Sequence, residues 1–444
     1  MADPNLGRLA LLVGGGPAPG INGVIASVTI EAINQGYEVL GFRDGYSWLA
    51  RKDLDWHHAK CPYFKPLAIE DVSPIALRGG SYLGTSRYNP TKKPEDLDQV
   101  LRTFKQLGVT ALVSIGGDDT AFSASQLYKQ GGGQLLVAHV PKTIDNDLPL
   151  PESTPTFGFE SARHTGTYLV RNIAEDAKTT SRWYVIVSMG RAAGFLALGI
   201  GKAAAATLTI IPEEFPPTDD LPRRKIALAE LADIIIGSII KRRTQGRHYG
   251  VVVLAEGLLE AIGEKELTRA MGDQLGRYGK LVRDPHNHLR LGEIEFGRMV
   301  KDVVSSRLEE LDLKDITTVI DKDLGYELRC SDPIPFDAEY TRDLGYGAVK
   351  FLRSPEAKQY GAIVSFIAGH LKPLHFDDMI NPKTGRMLPR KVDIEGEVYQ
   401  CARRYMIRLE RRDFEDSELL AKLAGTARTT PEQFRKRFGY LAGL

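Results

Sequence analysis

LALLVGGGPAPGINGVIASVTIEAINQG, residues 9–36, decides how the rest of the chain is read. The apolar residues of LALLV run without alternation, so the strand they form is expected to be covered on both faces, as in a parallel sheet. A loop rich in glycine and proline follows (GGGPAPG, 14–20). Beyond it Ile21, Val24, Ile25, Val28, Ala32 and Ile33 fall on one face of a helix, and Gly36 supplies the stop. The stretch is one strand–loop–helix unit of an α/β sheet.

The unit recurs along the chain. YEVLGF (37–42), ALVSI (111–115), LLVAHV (135–140), WYVIVS (183–188), TLTII (207–211) and VVVLA (251–255) read as further strands. Helical stretches are expected near 160–178, 222–243 and 290–311. At 444 residues the chain is too long for one ordinary core. The expected architecture is α/β, with two Rossmann-like domains whose mainly parallel sheets are sandwiched by helices. From about residue 380 the chain is rich in Arg, Glu and Lys (RRYMIRLERRDFEDSE, 403–418) and reads as a solvated C-terminal helical extension.

Composition excludes several function classes. Apolar residues at 43% and charged residues at 26% describe a soluble globular protein. A formal charge of +1 gives no overall attraction to nucleic acid or membrane. Three widely spaced cysteines (Cys61, Cys330, Cys401) make neither a disulfide framework nor a zinc pattern, which suits a reducing compartment. MADPNLGR lacks the apolar region of a signal peptide. FLALGIGKAAAATLTII (195–211), the longest apolar span, carries a lysine and a strand-like tail, so a helix running into a buried strand is expected there. A cytoplasmic protein is the expectation.

In parallel sheets ligands lie beyond the carboxyl ends of the strands. That rule selects the loops 14–20, 116–119, 141–147, 188–191 and 256–257, and one cleft is expected to hold them all. GGGPAPG fits neither nucleotide fingerprint: Pro19 stands where G-x-G-x-x-G needs glycine, and Ile21-Asn22 where a Walker loop needs Lys-Ser/Thr. Its glycines still let the backbone approach an anion at a helix N-terminus, although a plain strand–helix turn has the same spacing. In SIGGDDTAFSA (114–124) one aspartate is enough to cap a helix. The second is surplus, either double capping or a ligand for hydrated Mg²⁺. Arg87, after the glycine-rich bend RGGSYLGTSR (78–87), can fork onto phosphate oxygens or stand as a surface arginine. PKTIDND (141–147) offers a cation, Lys142, a candidate base, Asp145, a hydroxyl, Thr143, and a candidate metal partner, Asp147. Those are the parts of a phosphoryl transfer. A turn of self-satisfied Asx hydrogen bonds is the alternative.

Taken in order, GGGPAPGIN (14–22), LGTSR (83–87), IGGDD (115–119), PKTIDND (141–147), MGR (189–191), AEG (255–257) and GYELR (325–329) resemble the phosphofructokinase family over about three quarters of the chain. The resemblance implies a Mg²⁺-dependent transfer of phosphate to the 1-hydroxyl of fructose 6-phosphate, in glycolysis and gluconeogenesis. It assigns Asp145 as base, Asp118 and Asp147 to the metal, Gly15 to the donor phosphate and Arg87 to the moving group. Thr143, Met189, Gly190, Arg191, Glu256, Tyr326 and Arg329 correspond to substrate contacts. Arg182 corresponds to a residue that reaches a neighbouring subunit's substrate, which implies a homodimer or homotetramer. By the same resemblance, residues 1–156 with about 328–380 form a donor domain, 157–327 a fructose-phosphate domain and about 381–444 the extension, with the active site between the two domains.

Two positions bear on the donor. ATP-using members typically carry glycine at the positions of Asp119 and Lys142, and this pair is the pattern of the pyrophosphate-dependent branch. The physics agrees: two unit charges about 4 Å apart repel by roughly 4 kcal/mol at an effective dielectric near 20. A nucleotide's α-phosphate beside Asp119 would meet such a repulsion, and Lys142 would neutralise a leaving inorganic phosphate. The alternatives are an ATP donor on the same fold, a non-catalytic regulatory subunit that keeps the sugar-phosphate pocket, and, more distantly, a nicotinamide-dependent oxidoreductase. Position 17 is proline where many bacterial ATP-using members have aspartate, Val187 stands where they often carry glutamate, and Ile320 stands near a second cross-subunit arginine of theirs.

Overall fold

The computed structural model describes residues 6–56, 61–151, 154–215, 226–279, 294–381, 386–387 and 389–444. Contacts divide the chain into two compact units, Met1–His164 with Tyr326–Arg390, and Thr165–Gly325 with Lys391–Leu444.

In the first unit, β1 (Arg8–Val13), β2 (Glu38–Phe42), β3 (Phe64–Pro66), β4 (Val109–Gly116) and β5 (Leu136–Pro141) build a sheet together with the short strands Ala362–Ile363 and Leu374–His375. From β5 through β4 and β1 to β2 the pairing is parallel, and β3 closes one edge antiparallel to β2. Leu9, Leu11, Leu12 and Val13 are fully buried, as an unbroken apolar run requires in a sheet covered on both faces. Strand order reverses between β1 and β4, because the chain leaves β1 toward β2 but leaves β4 toward β5. Such a reversal opens a crevice at the carboxyl ends of the two strands. Val13 pairs with Ile115 and Gly116 with Pro141, so the loops after β1, β4 and β5 start from one edge.

The helix Ile21–Gln35 starts after Gly20 (φ 95°) and stops at Gly36 (φ 101°), both in the left-handed region open to glycine. Asn22, read in the sequence only as a failed Walker position, is buried and works as a clamp. Its side-chain amide donates to the carbonyls of Arg78 and Gly79, both at 3.1 Å, and its oxygen accepts from Tyr82 N at 2.7 Å. The loop that carries Arg87 is thereby fixed to the first helix.

The second unit holds a four-stranded parallel sheet of β6 (Arg182–Ser188), β7 (Leu208–Ile210), β8 (Gly250–Ala255) and β9 (Thr318–Leu324), in the order β7-β8-β6-β9. The span 195–211 is the helix Phe195–Ala203 followed by buried β7. No helix among the described residues is long and apolar enough to cross a membrane. The expected helices near 160–178, 222–243 and 290–311 run as Phe159–Thr180, Leu228–Thr244 and Phe296–Glu310, while 222–225 and 290–293 lie outside the described residues.

The tail is helical, over Glu397–Tyr405, Arg411–Glu415, Ser417–Thr426 and Pro431–Phe438, with most of its charges exposed as expected, but it also docks an apolar face. Phe414, Leu423, Phe434 and Phe438 are buried. Its charge runs supply ion pairs inside the unit: Lys241 to Asp413 at 2.6 Å and Arg408 to Glu214 at 2.5 Å. Buried charges persist only when paired, and Arg408 and Asp413 meet that condition, whereas Arg404, Arg411, Arg412, Glu415, Asp416 and Glu418 are exposed.

Candidate active site

In the first unit the glycine loop is held from two sides. Gly14 N donates to Ile115 O and Gly15 N to Ser86 O, both at 2.8 Å, while Thr85 Oγ1 donates to Gly15 O at 2.6 Å. Gly15 has φ 82°, which disfavours any side chain. A Cβ on Gly15 would lie 3.1 Å from Lys142 Nζ, and one on Gly16 would lie 2.9 Å from Arg329 Nη1. Two cations therefore rest on two consecutive glycines. Lys142 Nζ donates to the Gly16 carbonyl. Arg329 stands 4.8 Å from the Tyr326 ring, and its buried Nε has no hydrogen-bond partner among the described residues. An orphaned donor beside a bare backbone and an ammonium suits an anion with several oxygens.

Lys142 is the electrostatic centre of this group. It is 5% exposed, and burial pushes its pKa down to about 8. Asp145 opposes that shift, Arg329 and Arg87 reinforce it, and Asp147 opposes it. Arg87, Asp145, Asp147 and Arg329 thus all act on the charge of Lys142. The turn itself is pinned: Asp145 N donates to Thr143 Oγ1 at 3.0 Å, and Asn146 takes the left-handed conformation at φ 55°. Thr156 Oγ1 donates to Thr143 O at 2.9 Å, and Arg390 Nε donates to Asn146 O at 2.6 Å. Arg390 was not singled out in the sequence. It lies 244 positions from Asn146, and no local pattern joins them.

Neither Asp118 nor Asp119 is the N-cap residue of its helix. Gly117 occupies the N-cap of the helix Asp118–Gln130 without any side-chain capping bond, and the two aspartates are exposed in the first turn. Asp118 Oδ1 accepts from Asp119 N at 2.8 Å, and Asn89 Nδ2 approaches Asp119 Oδ1 at 3.5 Å. Asn89 lies two residues past Arg87, so the arginine loop meets the second aspartate.

A histidine hidden in LLVAHV ties the floor together. His139 is fully buried; Gly116 O can only accept, so His139 Nε2 carries the proton and donates to it at 3.0 Å. The other ring nitrogen then accepts from Ser114 Oγ at 2.9 Å. Burial, partly offset by the Gly116 bond and aided by Lys142, presses its pKa to about 3. His139 is thus a neutral strut beneath the loops that carry Asp118 and Lys142.

In the second unit Met189, Gly190, Arg191 and Glu256 meet at the carboxyl ends of β6 and β8. Met189 N donates to Leu324 O at 2.9 Å, Glu256 N to Ser188 O at 2.9 Å, and Gly257 N to Gly190 O at 3.1 Å. Burial raises the Glu256 pKa, against lowering by Arg191 and by the Gly190 N–H, while Glu260 and Asp323 raise it further. Arg182 stands apart from these four. It opens β6, paired with Thr318, and is exposed at the other end of the strand, about 20 Å from Met189 at the usual rise per residue.

The family profile described as Phosphofructokinase matches residues 8–352. The chain is 49% identical over 437 residues to the pyrophosphate–fructose 6-phosphate 1-phosphotransferase of Thermotoga maritima, covering 98% of this chain and 99% of that protein. With the protein of the same name from Naegleria fowleri it shares 50% identity over 438 residues, covering 98% and 96%. Among solved structures, phosphofructokinase from Saccharomyces cerevisiae superposes with a TM-score of 0.62 at 20% identity. That match covers 97% of this chain, which spans about half (49%) of the yeast chain.

Proposed function

The chain belongs to the phosphofructokinase family, and from that premise we propose that it is a phosphotransferase moving phosphate reversibly from pyrophosphate to the 1-hydroxyl of D-fructose 6-phosphate. The products are fructose 1,6-bisphosphate and inorganic phosphate. The observation that carries the reading is the buried ammonium of Lys142 on the Gly15–Gly16 loop, flanked by Arg329, Arg87, Asp145 and Asp147. Asp145 and Asp147 oppose the burial of this charge without cancelling it, and an ammonium left so under-compensated suits a site that takes an anionic ligand.

Asp145 takes the proton of the sugar's 1-hydroxyl as that oxygen bonds to the near phosphorus. The bridging P–O bond breaks, and its electron pair leaves with inorganic phosphate, whose negative charge Lys142 meets. Arg87 steadies the moving group, Gly15 receives donor oxygens on its backbone, and Thr143 orients the acceptor. Met189, Gly190, Arg191, Glu256, Tyr326 and Arg329 bind the sugar phosphate. The guanidinium of Arg329 lies against Gly16, which supports a second role for it at the donor. Asp119 keeps a nucleotide's further phosphates out. Arg182, at the far end of β6, serves a neighbouring subunit in a homodimer or homotetramer.

Magnesium fits the carboxylates present. Among the described residues no three His, Cys, Asp or Glu gather into a cage. Mg²⁺ needs none, because it takes one or two carboxylates and completes its shell with substrate phosphates and water. Asp118 and Asp147 would hold it, and when bound it would neutralise charge on the phosphoryl oxygens. The proposed setting is the cytoplasm, in glycolysis and gluconeogenesis.

Reversibility supplies the test. Fructose 1,6-bisphosphate, inorganic phosphate and Mg²⁺ incubated with the purified protein should give a pyrophosphate resonance in the ³¹P NMR spectrum. A spectrum that stays free of pyrophosphate, at an enzyme level where the forward reaction is complete within minutes, would contradict the proposal.

A further inference from the structure

The backbone just after the Met189–Arg191 turn is gripped by residues remote in sequence. Gly194 N donates to Glu213 Oε1 at 2.9 Å, and the same oxygen accepts from Val392 N at 3.2 Å. Lys391 Nζ donates to Ala192 O. A Cβ on Gly194 would sit 2.7 Å from Glu213 Oε2 and 2.5 Å from Ile211 Cβ, so the carboxylate lies directly on that glycine. Its charge also faces the N-terminus of the helix Phe195–Ala203, where a negative group is favoured. From the other side Gly257 presses on the turn: its N–H donates to Gly190 O at 3.1 Å, and a Cβ there would reach Arg191 O at 2.5 Å.

The grip has its own anchor. Glu214, next in sequence, pairs with Arg408 Nη1 at 2.5 Å and accepts from Nη2 at 3.1 Å. Arg408 Nη2 also donates to Thr209 O at 2.6 Å, and Ile407 N donates to Thr207 O at 2.8 Å. Lys241 fastens Arg408 O at 2.7 Å and Asp413 at 2.6 Å. Two consecutive glutamates are thus held by the segment 391–408, one of them bonded to the loop that follows Arg191.

We infer that Glu213 is a positioning residue for sugar-phosphate binding, and that the tail from Lys391 to Arg408 is the brace that fixes it. The inference rests on reading the Met189–Arg191 turn as a sugar-phosphate contact. Without Glu213 the Gly194 and Val392 N–H groups lose a charged acceptor, and the turn keeps its bonds to Leu324, Gly257 and Lys391 but loses its hold at Gly194. Misplacement of a binding turn by a fraction of an ångström weakens the ligand while the donor site in the first unit is untouched.

Three variants of the full-length chain test it. Glu213→Ala should raise KM for fructose 6-phosphate about tenfold, leaving KM for pyrophosphate within about twofold. Glu213→Gln, which keeps a carbonyl oxygen for both N–H groups, should restore most of the loss. Lys391→Met removes one exposed contact and cannot unfold a core; it should raise the same KM about threefold. Amide exchange gives a readout independent of turnover: in Glu213→Ala protection should fall across residues 190–194 and hold across 251–255. Unchanged sugar KM and unchanged exchange at 190–194 would overturn the inference. So would both KM values rising together with protection lost throughout the unit, which marks a merely structural role. A wild-type protein that binds no fructose 6-phosphate, while Glu213→Ala still loosens 190–194, would remove the sugar-phosphate reading and leave the brace standing.

Discussion

Asp145→Asn should lower turnover of pyrophosphate with fructose 6-phosphate by about 10²–10⁴-fold, the usual contribution of a positioned general base. The amide keeps the volume and leaves the backbone bond from residue 145 to Thr143 Oγ1 in place, so the turn should hold. Sugar-phosphate binding, measured by calorimetry, should stay within a few-fold. A second signature comes from Lys142. Asp145 raises the lysine's pKa, so removing the carboxylate lets it sink below its value of about 8. Residual activity should therefore fall off at lower pH in the variant than in the parent. A variant within tenfold of wild type would mean that another group takes the hydroxyl proton.

Lys142→Met carries the second large effect. Removing one preorganised charge from the leaving group typically costs about 10²–10³ in rate. Stability should move the other way. The folded protein pushes the Lys142 pKa below its ordinary value, so the charged form is penalised by folding and the neutral chain of Met is not. The unfolded state binds more protons between about pH 8 and the ordinary lysine value, so this part of stability rises with pH across that window. Methionine should leave the melting temperature unchanged or raised, set against the donor lost to Gly16 O. In the parent the ammonium disappears as pH climbs through about 8, and kcat/KM for pyrophosphate should decline there. Lower activity with equal or greater stability is the behaviour of a residue kept for function rather than for the fold. Loss of both together would make Lys142 structural.

The strands made of apolar runs were legible because each is long enough to be buried on both faces, as β1, β5, β6 and β8 show, while β9, with Asp321, Lys322 and Asp323 in a half-exposed run, gave no such signal. The loops that carry the candidate site stood out because glycine and charge collect at the carboxyl ends of those strands. What stayed hidden was whatever depends on a distant partner. His139 reads as one more member of an apolar run until Ser114 and Gly116 are placed beside it. Asn22 looked like a mismatch to a nucleotide motif, while its amide secures the Arg87 loop. Arg390 finds Asn146, and Val392 finds Glu213, only after the chain has folded back across both sheets' sequence. In the charged tail the exposed Arg411, Arg412 and Glu415 read correctly as solvated, while Arg408 and Asp413 pair with Glu214 and Lys241 inside the unit, and composition cannot separate the two kinds of charge.

Donor choice tests the central claim most directly. Asp119 is exposed in the first turn of its helix, three residues beyond the end of β4, and Lys142 is one residue beyond β5 in the neighbouring register. A repulsion of roughly 4 kcal/mol between that carboxylate and a nucleotide phosphate corresponds to nearly a thousandfold in affinity. With Mg²⁺ and fructose 6-phosphate saturating, kcat/KM for pyrophosphate should exceed that for ATP by about this factor, and Asp119→Gly should narrow the gap. Equal or faster turnover with ATP on the unaltered protein would contradict the account.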